Sequence, residues 1–104
     1  MLIYCFDIDG TICETDGVDY ANARKIESVV ERINALYDSG HTILIYTARG
    51  MGSLKGDIKK VYDTWHELTK NQLMEWGVKH HQLILGKPNA DFYIDDKAIN
   101  IENW

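Results

Sequence analysis

The sequence predicts an α/β fold in which a doubly wound, mainly parallel sheet carries helices on both of its faces. Two observations predict it. Short apolar runs typical of strands alternate with longer segments whose apolar residues recur at helical spacing. Each apolar run is also followed by polar residues, as at the carboxyl ends of parallel strands that bind ligands. The predicted order is β-α-β-α-β-β-α, which right-handed crossovers connect.

Composition indicates a single domain that spans residues 1–104, with 45% apolar residues to build a core. The net charge of -5 argues against a general nucleic-acid interface, which needs clustered lysine and arginine. No apolar run approaches the ~20 residues that span a membrane, and no signal peptide is visible. Cys5 and Cys13 are predicted to be free thiols. We therefore expect a cytoplasmic protein without nucleic-acid or membrane partners.

The first predicted strand is the apolar run at residues 2–6, which leads directly into Asp7 and Asp9. In an extended backbone, residues two apart point to the same side, so both carboxylates can face one small volume. Like charges at that separation repel, and a site that holds both needs a cation or a shared proton. The alternative is a plain turn, since Asp and Gly are common turn residues.

Two helices are predicted between the strands. The first covers Tyr20–Ser39, with Asp19 as its N-cap and Gly40 as the left-handed residue that ends it. The second runs from about residue 57 to residue 76, and Gly77 ends it in the same way.

The remaining predicted strands are residues 42–46, 82–85 and 92–94, and a short helical segment at 97–104 ends the chain. The run at 42–46 is apolar and rich in β-branched residues, which is typical of a strand covered on both faces. The glycine-rich loop at 50–56 is interpreted as a mobile flap over the site, with a flexible connector as the alternative.

Polar side chains follow all four predicted strands. They are Asp7 and Asp9, then Thr47, then Lys87, then Asp95 and Asp96. Because the carboxyl ends of parallel strands meet at one edge, we expect these side chains to converge on one crevice. Four carboxylates there would repel strongly, and Mg²⁺, which prefers oxygen ligands, would balance them. A metal, a nucleophilic carboxylate and phosphate-sized donors together favour phosphoryl transfer.

In their order along the chain, these residues resemble the four motifs of the haloacid dehalogenase (HAD) superfamily of phosphatases. The matching positions are Asp7-Ile8-Asp9-Gly10-Thr11, Thr47, Lys87 in Gly86-Lys87-Pro88, and Ile94-Asp95-Asp96. The resemblance spans residues 7 to 96, nearly the whole chain, and it implies a Rossmann-like HAD core.

The resemblance implies roles for the acids. Asp7 would be the nucleophile that forms an aspartyl-phosphate, and Asp9 would be the general acid and then the general base. The side chain of Asp7, the main-chain carbonyl of Asp9 and the side chain of Asp95 would bind Mg²⁺. Asp96 would hold a metal-bound water or act as a second ligand. An acid at position 9 also favours hydrolysis of a phosphate monoester.

The resemblance also implies that Thr47, Ala48 and Lys87 bind the phosphoryl oxygens, with Lys87 restraining Asp7 as well. Arg49 adjoins the second motif. It could reach the substrate or a neighbouring subunit, or it could pair with a surface acid.

Neither gap between the motifs has room for the cap domain that many family members carry. Capless members have open sites, and they accept large substrates or use a neighbouring subunit as a lid. We therefore expect a small-molecule partner and consider a homo-oligomer that supplies the lid. Residues 87–98 resemble small capless members found with capsule and surface-polysaccharide genes, which implies a sugar phosphate or a small polyol phosphate as substrate.

Two other functions remain open. A phospho-accepting regulatory domain of the response-regulator type is also doubly wound and also uses an acid pair, a metal, a threonine and a lysine. It would place its acceptor aspartate after the third strand, where this chain has Gly86 and Lys87. An inactive binding module on the phosphatase fold is the other alternative, and the full set of acids argues against it.

Overall fold

A three-stranded parallel sheet is the centre of the fold in the computed structural model, which describes residues 1–104. The elements in chain order are β1 (Ile3–Phe6), β2 (Cys13–Glu14), β3 (Arg24–Lys25), α1 (Glu27–Asp38), β4 (Thr42–Thr47), α2 (Ile58–Glu75) and β5 (Gln82–Leu85). The strand order in the main sheet is β1-β4-β5, and both strand pairs are parallel. The predicted α/β class and the first three predicted strands are therefore confirmed.

Both helices pack on the same face of the sheet. Phe6 lies beside Ile45 in the β1–β4 register, and these side chains cluster with Ile33 of α1 and Leu73 of α2. Parallel strands that follow one another in one direction, joined by right-handed crossovers, place their helices on one side.

The opposite face of the sheet contributes nothing to the buried core. Its residues alternate with those of the core face and are Ile3, Cys5, Leu44, Tyr46 and Ile84. Ile3 is 71% exposed. The prediction of helices on both faces is therefore wrong for this chain, because no strand on the other side of β1 brings a further helix to that face.

The first helix is shorter than predicted. It begins at Glu27 rather than Tyr20, because β2 and β3 form a small antiparallel pair and the Ile26 N–H donates to the Ile12 carbonyl at 2.7 Å. Asp19 does not cap α1, and its carboxylate instead accepts two hydrogen bonds from Asn22 Nδ2 at 3.1 and 3.0 Å.

The predicted ends of both helices at glycine are confirmed. Gly40 has φ +93°, and the following His41 N–H donates to the Leu36 carbonyl at 3.1 Å. Gly77 has φ +71°, and the following N–H donates to the Leu73 carbonyl at 3.0 Å. This pattern, in which the residue after a left-handed glycine bonds back into the last turn, satisfies carbonyls that the helix leaves free.

The predicted strand at residues 92–94 is wrong, and the predicted helical segment at 97–104 is only a short 3₁₀ turn at Ile101–Asn103. Phe92 and Ile94 are 83% and 97% exposed. Only residues 86–91 separate β5 from this segment, whereas a parallel crossover needs about a dozen residues or more. The segment therefore cannot return to the start of the sheet and pair with β1 of its own chain.

The chain end is anchored on the core side of the sheet. The Trp104 ring lies 5.3 Å from the Phe6 ring, and the Arg32 guanidinium lies 3.6 Å from the Trp104 ring centroid. Both cysteines are free, as predicted, with Cys5 exposed and Cys13 buried. Neither helix combines the length and the apolar character that crossing a membrane requires.

Candidate active site

A cleft of about 310 Å³ lies at the carboxyl end of the sheet. Its lining includes Asp7, Asp9, Ala48, Ser53, Asn89 and Tyr93. Residues from the ends of β1 and β4 and from the segment after β5 therefore meet there. Of the six side chains predicted to converge, Asp7 and Asp9 line the cleft, and Thr47, Lys87, Asp95 and Asp96 do not. A second groove of about 390 Å³ runs along α2, but none of the strand-end residues lines it.

Asp7, which lines this cleft, forms an ion pair with Lys87, which does not line it. Lys87 Nζ lies 3.6 Å from Asp7 Oδ1, and the two side chains are 18% and 32% exposed. Burial raises the pKa of Asp7, and the charge of Lys87 partly opposes that shift. The Lys87 ammonium also lies 4.2 Å from the Tyr93 ring centroid. Lys87 is thus held between the carboxylate and an aromatic face.

The turn after Asp7 fixes the position of Asp9. Ile8 is fully buried, and its carbonyl accepts hydrogen bonds from the N–H groups of Thr11 and Ile12 at 3.0 and 2.8 Å. Gly10 adopts φ +82°, which glycine tolerates and other residues rarely adopt. The segment 7–11 is therefore a tight turn that also positions a site carboxylate.

Asp9 is held by a buried arginine. Arg49 Nε donates to Asp9 Oδ2 at 2.9 Å, and Arg49 Nη2 donates to Asp9 Oδ1 at 3.0 Å. Thr15 Oγ1 donates to Asp9 Oδ1 at 2.5 Å. This two-point contact fixes both the position and the orientation of the Asp9 carboxylate.

All five N–H donors of Arg49 have partners within the chain. Besides Asp9, the guanidinium donates to Gln72 Oε1 at 2.7 Å, to Thr69 Oγ1 at 3.3 Å and to Cys13 Sγ at 3.9 Å. The side chain of Arg49 is 0% exposed. Arg49 therefore has no donor free for a substrate phosphate, and the acid with which it pairs is the site carboxylate Asp9 rather than a surface acid.

The sequence reasoning did not identify Thr15, Thr69 and Gln72 as parts of this site. Thr69 and Gln72 are buried, and their spacing of three places two polar side chains on the inner side of α2. That pair of polar residues on a buried helix face was the available signal, because buried polar groups need partners.

Thr47 and Ala48 were both expected to bind the phosphoryl oxygens, but they lie in different surroundings. Thr47 is buried, its hydroxyl accepts the Arg49 N–H at 3.1 Å, and its carbonyl accepts the Lys87 N–H at 3.1 Å. Ala48 lines the cleft and Thr47 does not. In this structure Thr47 connects the end of β4 to Lys87 and Arg49.

The glycine-rich loop forms hydrogen-bonded turns at the rim of the cleft. The Met51 N–H donates to the Ala48 carbonyl at 3.0 Å. Gly50 has φ +78°, and a Cβ there would lie 2.4 Å from Trp65 Cδ1, so only glycine fits. The rim residues Gly52 and Ser53 line the cleft.

Asp95 and Asp96 lie outside the cleft. Both are exposed, and the Asp95 carboxylate accepts the Lys97 N–H at 2.8 Å, the largest cause of its lowered pKa. No group of three or more His, Cys, Asp or Glu side chains comes together to hold a metal ion. Within one chain, the acids that were predicted to bind Mg²⁺ do not converge, and they do not fit the ion.

The chain is similar to a protein from Vibrio cholerae of known crystal structure. The two are 30% identical with a TM-score of 0.90, and the match covers 98% of this chain and 85% of that chain. The chain therefore belongs to the same family as this Vibrio cholerae protein.

Two structures of the Pnkp1/Rnl/Hen1 complex, which is an RNA repair complex, are more distant. They are 17% and 15% identical with TM-scores of 0.60 and 0.58, and they match 91% and 88% of this chain. The match covers only 30% and 27% of those chains, so it shows a shared fold alone. Neither a family model nor a curated protein matches the chain.

Replacing Arg49 with lysine is expected to lower the free energy of unfolding by about 1–3 kcal/mol. Lysine has three donors instead of five and lacks the planar fork, so buried acceptors on Thr69, Gln72 or Asp9 lose their partners. The matched control is Arg24→Lys, since Arg24 is 57% exposed and forms only surface ion pairs. Urea unfolding measures both variants, and equal losses would contradict the role of Arg49.

Proposed function

We propose that the chain is a phosphatase of the HAD type that hydrolyses a phosphate monoester through an aspartyl-phosphate. The observation that carries the proposal is the pairing of Asp7 with Lys87 at 3.6 Å, at a cleft that Asp7 and Asp9 both line. A partly exposed carboxylate beside a cation can approach an anionic phosphate, which an isolated carboxylate would repel. The order of the four HAD-like motifs along the chain supports the same chemistry.

In the first step, an Asp7 oxygen attacks phosphorus and the bond from phosphorus to the leaving oxygen breaks. The leaving oxygen takes a proton from Asp9. In the second step, water attacks phosphorus, Asp9 takes a proton from that water, and the bond between phosphorus and Asp7 breaks. Phosphate is released and Asp7 is regenerated. Lys87 offsets the negative charge on the phosphoryl oxygens in both steps.

The contacts of Asp9 to Arg49 and Thr15 restrict its proton transfer in both steps. Both of its oxygens accept hydrogen bonds from Arg49, and one also accepts from Thr15. An oxygen that carries a proton cannot accept in the same direction, so proton donation requires one of these contacts to open. Mg²⁺ remains part of the proposal, although the acids of one chain do not gather to hold it.

The proposed substrate is a small phosphate monoester such as a sugar phosphate or a small polyol phosphate. A cleft of about 310 Å³ lies at the small end of ligand sites. The net charge of -5 offers no general attraction to a nucleic acid.

A phospho-accepting regulatory domain is the second candidate. The occupied oxygens of Asp9 favour it, because a base that is held by arginine would leave the aspartyl-phosphate long-lived. The two functions differ in turnover. A phosphatase releases many phosphates per chain, whereas an acceptor domain takes up one phosphoryl group and stops.

Replacing Asp7 with asparagine should lower the rate of phosphate release from an aryl phosphate by at least about a thousandfold, since the attacking oxygen is lost. The control is Asp63→Asn on the exposed side of α2, where Asp63 forms only a surface ion pair with Lys59. The control should keep wild-type activity. Steady turnover by the Asp7 variant would remove Asp7 as the nucleophile.

The raised pKa of Asp7 predicts two effects of pH. Activity should be lost on acidification at a pH above 3.8, the ordinary value for an aspartate, because only the ionised form attacks. Stability should decrease as pH rises from 3.8 to the pKa in the folded chain, since over that range the folded chain binds more protons. Asp7→Asn should remove this decrease in thermal scans, whereas parallel curves for variant and wild type would contradict it.

A further inference from the structure

The outer edge of β1 is free. β1 lies at one end of the strand order β1-β4-β5, and no strand pairs with its outer side. Exposed edge strands are usually protected by charges, proline or a covering segment. This edge instead carries apolar residues, and Met1, Leu2 and Ile3 are 86%, 60% and 71% exposed.

The same chain contains a segment with strand character that pairs with no strand. Within it, Tyr93 contacts the nearby residues Lys87, Pro88 and Ala90. Phe92, Tyr93 and Ile94 form an aromatic and β-branched run of the type enriched in strands. They are 83%, 47% and 97% exposed, and no strand forms there. Burying apolar side chains of this size is favourable, so an arrangement that covers the run is stabilised.

The free edge and the free segment cannot pair in parallel within one chain. Only residues 86–91 connect β5 to the segment, and a parallel crossover needs about a dozen residues or more. Antiparallel pairing would fit a shorter connection, but it would carry Asp95 and Asp96 to the amino end of β1, away from Asp7.

We propose that the segment 92–94 of one copy adds to the outer edge of β1 in a second copy, parallel to it. This exchange places Asp95 and Asp96 of the partner subunit at the carboxyl end of β1, beside Asp7. The need for these acids at Asp7 rests on the proposed phosphatase function. A reciprocal exchange closes into a dimer and leaves neither segment exposed.

Two features support this arrangement. The first is that the cleft contains Asp7 and Asp9 but no further acid, while two acids stand exposed directly after the free segment. The second is spacing, because Tyr93 precedes Asp95 by two residues as Cys5 precedes Asp7, so one parallel alignment pairs Tyr93 with Cys5 and Asp95 with Asp7.

The exchange also explains why the acids that were predicted to bind Mg²⁺ do not come together within one chain. One chain does not gather three acidic ligands, but the exchanged dimer would bring three aspartates from two chains to one place. Oxygen ligands of this kind suit a hard divalent cation. Each site is then incomplete without the second copy.

Complementation between two inactive variants tests the exchange. Asp7→Asn alone and the double variant Asp95→Asn/Asp96→Asn alone should both be inactive. Refolded together from denaturant in equal amounts with Mg²⁺ present, they should recover about a quarter of wild-type activity, because half of the dimers are mixed and each has one complete site. A site built within one chain gives no recovery.

The matched control is a mixture of Asp7→Asn with Asp9→Asn. Both residues belong to the same half of the site, so no mixed dimer contains a complete site and the mixture should stay inactive. Recovery of activity in this mixture would contradict the assignment of Asp7 and Asp9 to the same chain within one site. Wild-type protein without activity on any phosphate monoester would reject the proposed function rather than the exchange, which a second experiment tests without activity.

Cross-linking provides that second experiment. In the exchanged dimer Tyr93→Cys would face the native Cys5 across neighbouring strands about 4.8 Å apart, within disulfide range. Mild oxidation should give a covalent species of twice the 12.0 kDa chain mass, and Cys5→Ser should abolish it. Met74→Cys, which is exposed on α2, controls for random collision and should give no dimer. Only single chains, or an internal disulfide, would overturn the exchange.

Discussion

The buried guanidinium of Arg49 is the interaction on which the site depends. Removing a cation from water costs several kcal/mol, and only a complete set of hydrogen bonds and an opposite charge offset that cost. Asp9 supplies the charge, and Thr69 and Gln72 on α2 supply the remaining oxygen acceptors. The turn after β1, the end of β4 and the C-terminal half of α2 are therefore fixed relative to one another by one side chain.

This constraint gives the two aspartates of the motif different surroundings. Asp9 is held on both oxygens by Arg49, whereas Asp7 has the longer contact to Lys87 at 3.6 Å and a pKa that burial raises. Paired carboxylates in different environments take different chemical roles. In the proposed mechanism, the carboxylate that Arg49 holds is the base and the carboxylate beside Lys87 is the nucleophile.

Local signals in the sequence were enough for the three paired strands and for the glycines that end both helices. They failed at the start of α1, because β2 and β3 have two residues each and leave no periodic trace. The partners of Arg49 depend on residues distant in sequence, which one local pattern does not reveal. The absence of the fourth strand could have been predicted, because the length of the connection at residues 86–91 can be counted in the sequence.

The short connection at residues 86–91 has two structural consequences. It stops the fourth strand from crossing back to β1, and with no strand beyond β1 there is no helix on the second face of the sheet. The chain thus keeps an open edge, an uncovered face and two acids away from the cleft. A longer crossover would have joined all three within one chain. A short connection leaves these features to be matched by a second copy. In the proposed dimer, the strand that pairs with β1 also brings Asp95 and Asp96 to Asp7.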